Sequence, residues 1–208
     1  MDGITVLEYI GIIAFAISGV NIAIEEQFDL LGIYILGIIT AMGGGIIRDI
    51  VTQEGIPVFF HSYNAILVIF ITCTITIILK GKWKGTKILI LIDAIGLAAF
   101  VVSSGMKAID NHYNLILFLF VTSITGVGGG LLRDIITNRK PVVFQSDIYC
   151  IAGIIGALVL RITFSIIGMF NAGYLALGVV ITVRMVCYKN NIHLPKISCL
   201  CTNVDEPS

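Results

Sequence analysis

Charge is what this chain has least of: only 12% of its 208 residues are Asp, Glu, Lys or Arg, against about 25% in a typical water-soluble domain. With 57% hydrophobic residues and a mean hydropathy of +1.02, it has too few polar groups to cover a folded surface in water. A soluble domain is excluded, and an integral membrane protein is implied. Thirteen basic and thirteen acidic residues cancel and no basic tract is present, so nucleic acid is not an expected partner. The amino terminus lacks the cationic start of a secretory signal, carrying Asp2 and Glu8 instead, and reads as a first mature span. Cys73, Cys150, Cys187, Cys199 and Cys201 are odd in number and mostly apolar or C-terminal in context, which fits reduced thiols rather than a disulfide framework. The Cys-x-Cys at Cys199 and Cys201 reads as part of a polar tail. His61, His112 and His193 are scattered without ligand spacing and no nucleophile–base set accompanies them. No metal, cofactor or enzymatic activity is therefore expected.

What the chain does have is long apolar runs. A helix needs about twenty apolar residues to cross the hydrocarbon, and seven runs are candidates: 4–24, 30–50, 63–79, 88–109, 113–136, 148–167 and 172–188. They are too long and too uniformly apolar for the alternating strands of a barrel, so an all-α membrane protein is expected. Placing the amino terminus outside puts Lys80, Lys82, Lys84, Lys87, Arg133, Arg139, Lys140, Arg184, Lys189 and Lys196 in the cytoplasm and only Arg48, Lys107 and Arg161 opposite. The excess of cations inside supports that orientation, with the C-terminus cytoplasmic.

One motif occurs twice. Gly43-Gly44-Gly45-Ile46-Ile47-Arg48-Asp49 returns eighty-five positions later as Gly128-Gly129-Gly130-Leu131-Leu132-Arg133-Asp134. The same offset pairs Glu8 with Asp93, Gly11 with Gly96, Phe15 with Phe100, Ser18 with Ser103 and Glu25 with Asp110. It slips by one after the Arg-Asp pairs, so that Pro57 matches Pro141. Three spans per copy is an odd number, so the second copy must run inverted. The expected units are a first three-helix repeat at 1–84, an inverted repeat at 85–168, a seventh span at 169–190 and a polar cytoplasmic tail at 191–208.

Inverted repeats with interrupted helices are a common plan for solute-conducting proteins. Helices 2 and 5 are expected to be broken at Gly43, Gly44, Gly45 and at Gly128, Gly129, Gly130, with simple close packing as the plainer reading of the same glycines. Arg48, Asp49, Arg133 and Asp134 cannot face lipid cheaply and should face protein or water. Neighbours on a helix diverge by about 100°, so each Arg is expected to find a partner other than its own adjacent Asp. Glu8 and Asp93 would place one carboxylate near each membrane face, where they could draw cations into two vestibules, Asp93 being the stronger candidate. Lys107 and Arg184 are expected to snorkel, with gating or lipid-phosphate contact as the alternative. The glycines are not a phosphate loop: the first triplet lacks the Gly-Lys-Ser/Thr ending, and neither has a strand–turn–helix context.

The doubled Gly-Gly-Gly-x-x-Arg-Asp segments, the three-span repeat and the tail from Arg184 to Lys196 resemble the prokaryotic branch of the trimeric intracellular cation channel family, also catalogued as bacterial membrane proteins with paired glycine transporter domains. The resemblance runs from about Leu7 to Lys196. It implies a seven-helix protomer, a homotrimer in which each protomer holds its own pore lined by kinked helices 2 and 5, and monovalent cations, potassium among them, as permeants. Membrane lipids are the other expected partners. A passive cation channel in the inner cell membrane is the leading expectation, and a secondary transporter of glycine or another small solute is its rival. A scaffold protein whose glycines only pack is the third.

Overall fold

The structure, a computed structural model, describes residues 3–53, 55–79, 86–145, 149–190 and 192. Lys80, Lys82, Lys84, His193, Lys196, Cys199, Cys201 and the tail from 193 onward lie outside the described residues. Among the described residues eight α-helices run in chain order: α1 Gly3–Glu25, α2 Leu30–Thr52, α3 Tyr63–Ile78, α4 Thr86–Asp110, α5 Leu115–Ile136, the single turn α6 Val142–Gln145, α7 Tyr149–Ile167 and α8 Met169–Lys189. A 3-10 turn at Val58–His61 precedes α3 much as α6 precedes α7.

Six helices, α1, α2, α4, α5, α7 and α8, are long and apolar enough to cross a membrane. The third expected span, 63–79, is shorter than these. Helix α3 has 16 residues, a rise of about 24 Å, because Pro57 and the 3-10 turn take up the chain before it and Ser62 caps its start, accepting a hydrogen bond from the Ala65 amide. A second correction concerns α2 and α5. Both are continuous helices through their glycine triplets, not the interrupted ones anticipated: three glycines remove side chains but leave every backbone donor and acceptor able to continue the ladder.

The helix ends are set by short polar residues. The Asp29 carboxylate accepts from the Gly32 amide at the start of α2, and the Asn114 side-chain oxygen accepts from the Leu117 amide at the start of α5, each satisfying one amide that the helix itself cannot. Left-handed residues terminate the helices: Gln27 after α1, Gln53 after α2, His112 after α4 and Asn138 after α5, with φ of 57°, 57°, 53° and 53°. All of these positions pair at the eighty-five-residue offset.

Helix α1 packs on α2, α3 and α4, while α2 packs on α5, and α8 packs on α4 and α7. The core falls into two apolar clusters. One is built around Phe15, Val20, Ile69 and Phe100, and the other around Leu97, Val101, Met106, Phe118 and Leu160. Arg161 on α7 lies over the rings of Phe118 and Phe164, at 5.5 and 5.7 Å from their centroids, an apolar-compatible contact for a guanidinium.

Candidate functional site

Helices α2 and α5 cross where their glycines meet. A Cβ added at Gly44 would collide with the Thr125 carbonyl, and one at Gly129 with the Thr40 carbonyl. Each triplet therefore touches the other helix at the offset-equivalent residue. A Cβ at Gly128 would stand 2.9 Å from the Gly44 Cα, and one at Gly43 would stand 2.6 Å from a Leu132 methyl. Backbone meets backbone at this crossing, an approach that only small residues permit. Thr40 and Thr125 are fully buried, and each turns its hydroxyl back to the carbonyl four residues earlier, Leu36 and Val121, at 2.6 Å.

The third glycine of each triplet behaves differently. Nothing lies within 4 Å of a Cβ built on Gly45, while one on Gly130 would be 3.4 Å from the Tyr149 hydroxyl and 3.7 Å from Arg133 Nη2. Gly45 opens onto a cavity of about 110 Å³ lined by Glu8, Tyr9, Arg48, Asp49, Phe100 and neighbours. A second cavity, of about 240 Å³, is lined by Ser18, Glu25, Asp93, Arg133, Arg139 and Arg184 among others. The first draws on the start of α1 and the end of α2, the second on the end of α1, the start of α4 and the ends of α5 and α8. They lie toward opposite ends of the bundle.

At each cavity one Arg holds both its adjacent Asp and a second carboxylate from another helix. In the first, Arg48 Nε and Nη2 both reach Asp49 Oδ1 at 2.7 Å, and Arg48 Nη1 lies 3.7 Å from Glu8 Oε1. Lys107 Nζ donates to the same Glu8 oxygen at 2.6 Å. In the second, Arg133 Nε and Nη2 reach Asp134 Oδ1 at 2.8 Å, and Nη1 reaches Asp93 Oδ1 at 3.0 Å and the Ser18 hydroxyl. The Val142 amide donates to Asp134 Oδ2 at 2.9 Å, fixing that carboxylate from the loop side. Each Arg does find a carboxylate on another helix, as expected, but it holds its own adjacent Asp as well, at the shorter distance. Divergence of 100° applies to Cβ directions, and the long Arg side chain curls back to an adjacent short carboxylate.

Burial separates the two. The Arg133 and Asp93 side chains are 5% and 10% exposed, whereas Lys107 and Glu8 are 33% and 26% exposed. Lys107 does not only snorkel, since it holds Glu8. Arg184, 5% exposed, lies with its guanidinium carbon 4.7 Å from the centroid of Tyr149, so helix α8 contributes a cation to this cavity, whereas among the described residues no α8 side chain lines the other. At the mouth of that cavity Arg139 donates to Glu26 Oε1 at 2.6 Å and Glu25 Oε2 at 3.0 Å, tying two loops together.

Two buried phenylalanines pack near the crossing. Phe15 and Phe100 stand 5.3 Å apart, with Phe15 seated on Gly96 and Gly129, and Phe100 on Gly11. Sequence reading paired these two rings by offset but gave them no role. Ser18, Tyr149, Thr40 and Thr125 were likewise unassigned. The offset pairing Thr40 with Thr125 was the available signal for the last two, and nothing local marked Tyr149.

A model of the family described as Glycine transporter matches residues 5–81 and again 90–165. The chain is 35% identical over 201 residues to the UPF0126 membrane protein YvgT of Bacillus subtilis, covering 92% of this chain and 95% of that protein. It is 34% identical to the inner membrane protein YadS of Escherichia coli over 91% of this chain and 93% of that one. Among solved structures it is similar to a chain described in terms of conductance through TRIC cation channels, with a TM-score of 0.85 at 32% identity over 95% of this chain and 98% of the other. A prokaryotic TRIC channel in 0.5 M KCl matches with a TM-score of 0.83 at 29% identity over 92% and 98%. The TRIC orthologue of Rhodobacter sphaeroides, at 22% identity over 92% and 100%, shares the fold with a TM-score of 0.87.

Proposed function

The chain belongs to the glycine transporter family of membrane proteins, and from that membership we propose that it is a passive channel for monovalent cations, potassium first among them. The observation that carries this reading is the pair of charged cavities at opposite ends of the α2–α5 glycine crossing, each with an Arg that holds its adjacent Asp and a second carboxylate. The similarity to TRIC cation channels supports it.

On this reading a cation entering from the Glu8 side competes with the Lys107 ammonium for one carboxylate oxygen, then meets Phe100, Phe15 and the crossing. On this reading the two phenylalanines and the glycine crossing close the path. An apolar plug is an effective barrier, because an ion leaving water needs replacement ligands at every step. Kinking of α2 and α5 at the triplets would separate the crossing and turn the Thr40 and Thr125 carbonyls, now pressed on the opposing glycines, toward the passage as oxygen ligands. Beyond it the ion reaches Asp93, whose charge is shared with Arg133. The two halves at 1–84 and 85–168 then act as inverted repeats around that passage, with 169–190 as the added helix and 191–208 as a cytoplasmic tail. The full assembly is a homotrimer in the inner membrane with seven spans per protomer, α3 being a short third one, the amino terminus outside and the C-terminus inside.

Flux into liposomes of potassium, sodium, chloride and glycine, compared on one preparation, tests this. Rapid potassium and sodium entry without chloride or glycine supports the channel; saturable glycine uptake that depends on a proton or sodium gradient replaces it with a transporter.

A further inference from the structure

We propose that the groove between the start of α4 and the end of α8 binds the phosphate of an anionic phospholipid. It shares no lining residue with either cavity above, though it adjoins the second along α4 and α8. About 530 Å³ in volume, it is lined by Lys87, Met185, Val186, Tyr188 and Lys189. Two ammonium groups on two helices packed against one another flank one hollow, and both lysines are exposed. Among the described residues, neither forms an ion pair.

The chemistry of the walls identifies the ligand. A free phosphate would be served by polar walls, whereas here Met185 and Val186 line the hollow and α4 continues from it with exposed Ile88 and Leu91. That sequence of charge and then hydrocarbon matches a headgroup followed by acyl chains. Both α4 and α8 are apolar membrane-crossing helices, so their ends lie at headgroup depth. Tyr188 is the residue type favoured at that depth, and lysines there attract anionic lipid. The inference depends on the membrane reading alone and holds whether or not the protein conducts ions.

The test is native mass spectrometry of the full-length protein, taken from mixed phosphatidylglycerol–phosphatidylcholine nanodiscs, with inorganic phosphate as a separate arm. Wild type should retain phosphatidylglycerol over phosphatidylcholine. Lys87→Gln should weaken that preference roughly fivefold and the Lys87→Gln/Lys189→Gln pair about thirtyfold. Lys140→Gln, a lysine outside the groove, should leave it unchanged, and unfolding temperatures in phosphatidylcholine should be equal for all four proteins. Equal retention in the double variant overturns the proposal, as does an equal loss in Lys140→Gln, which would mean diffuse surface charge. Displacement of the bound lipid by millimolar inorganic phosphate would assign the groove to a soluble anion and overturn it also.

Discussion

Single glycines in this chain do opposite things, and substitution separates them. Gly44 and Gly129 leave no room for a methyl group beside the facing carbonyls, whereas Gly45 faces open space. Gly44→Ala should lower stability by about 1–3 kcal/mol through overpacking. Gly45→Ala should be neutral or raise stability by up to about 1 kcal/mol, since Ala is the better helix former. Thermal unfolding in detergent measures both, and equal effects would remove the crossing from the account. The carboxylates divide similarly. Asp93→Ala strands the buried Arg133 with one carboxylate fewer and should cost about 3 kcal/mol, while Glu8→Ala, part of a half-buried and better hydrated network, should cost less, about 1 kcal/mol. Lys107→Gln frees Glu8 and should increase unitary potassium conductance; a decrease would show that Lys107 assists permeation instead of competing with the ion.

Helices bring those residues together, and here hydropathy alone located most of what exists. Six of the seven expected spans are present at membrane-crossing length, because a long run of Ile, Leu and Val has no other way to satisfy its backbone in lipid. The helix starts carried a signal that the sequence analysis did not use: Asp29 and Asn114, each standing before a leucine-rich run, are the N-caps. Two features were not legible. Whether a glycine triplet interrupts a helix or lets another helix approach depends on what packs opposite, and the sequence states only that Cβ atoms are missing. Lys107 meeting Glu8, and Arg133 meeting Ser18 and Asp93, join residues on different helices, a matter of helix rotation that hydropathy in an apolar bundle barely encodes. At this scale Gly44→Ala and Gly129→Ala touch one shared crossing, so their combined effect should be non-additive by about 0.5 kcal/mol or more. Strict additivity would mean that the two contacts are independent.

For the whole molecule, the eighty-five-residue offset relates caps, left-handed termini, Arg-Asp pairs, packed phenylalanines and both family matches. Helix α8 lies outside that relation and adds Arg184 to one cavity only, so the two entrances are chemically unequal. If the chain conducts as proposed, its current should therefore rectify, and Arg184→Gln should reduce the rectification in recordings with equal salt on both sides. The account's central claim is cation passage between the two cavities. Single-channel recording of the purified protein under a tenfold KCl gradient tests it most directly: unitary currents reversing near the potassium equilibrium potential, roughly 59 mV, are predicted, and silence from a folded preparation, or reversal at the chloride potential, would contradict it.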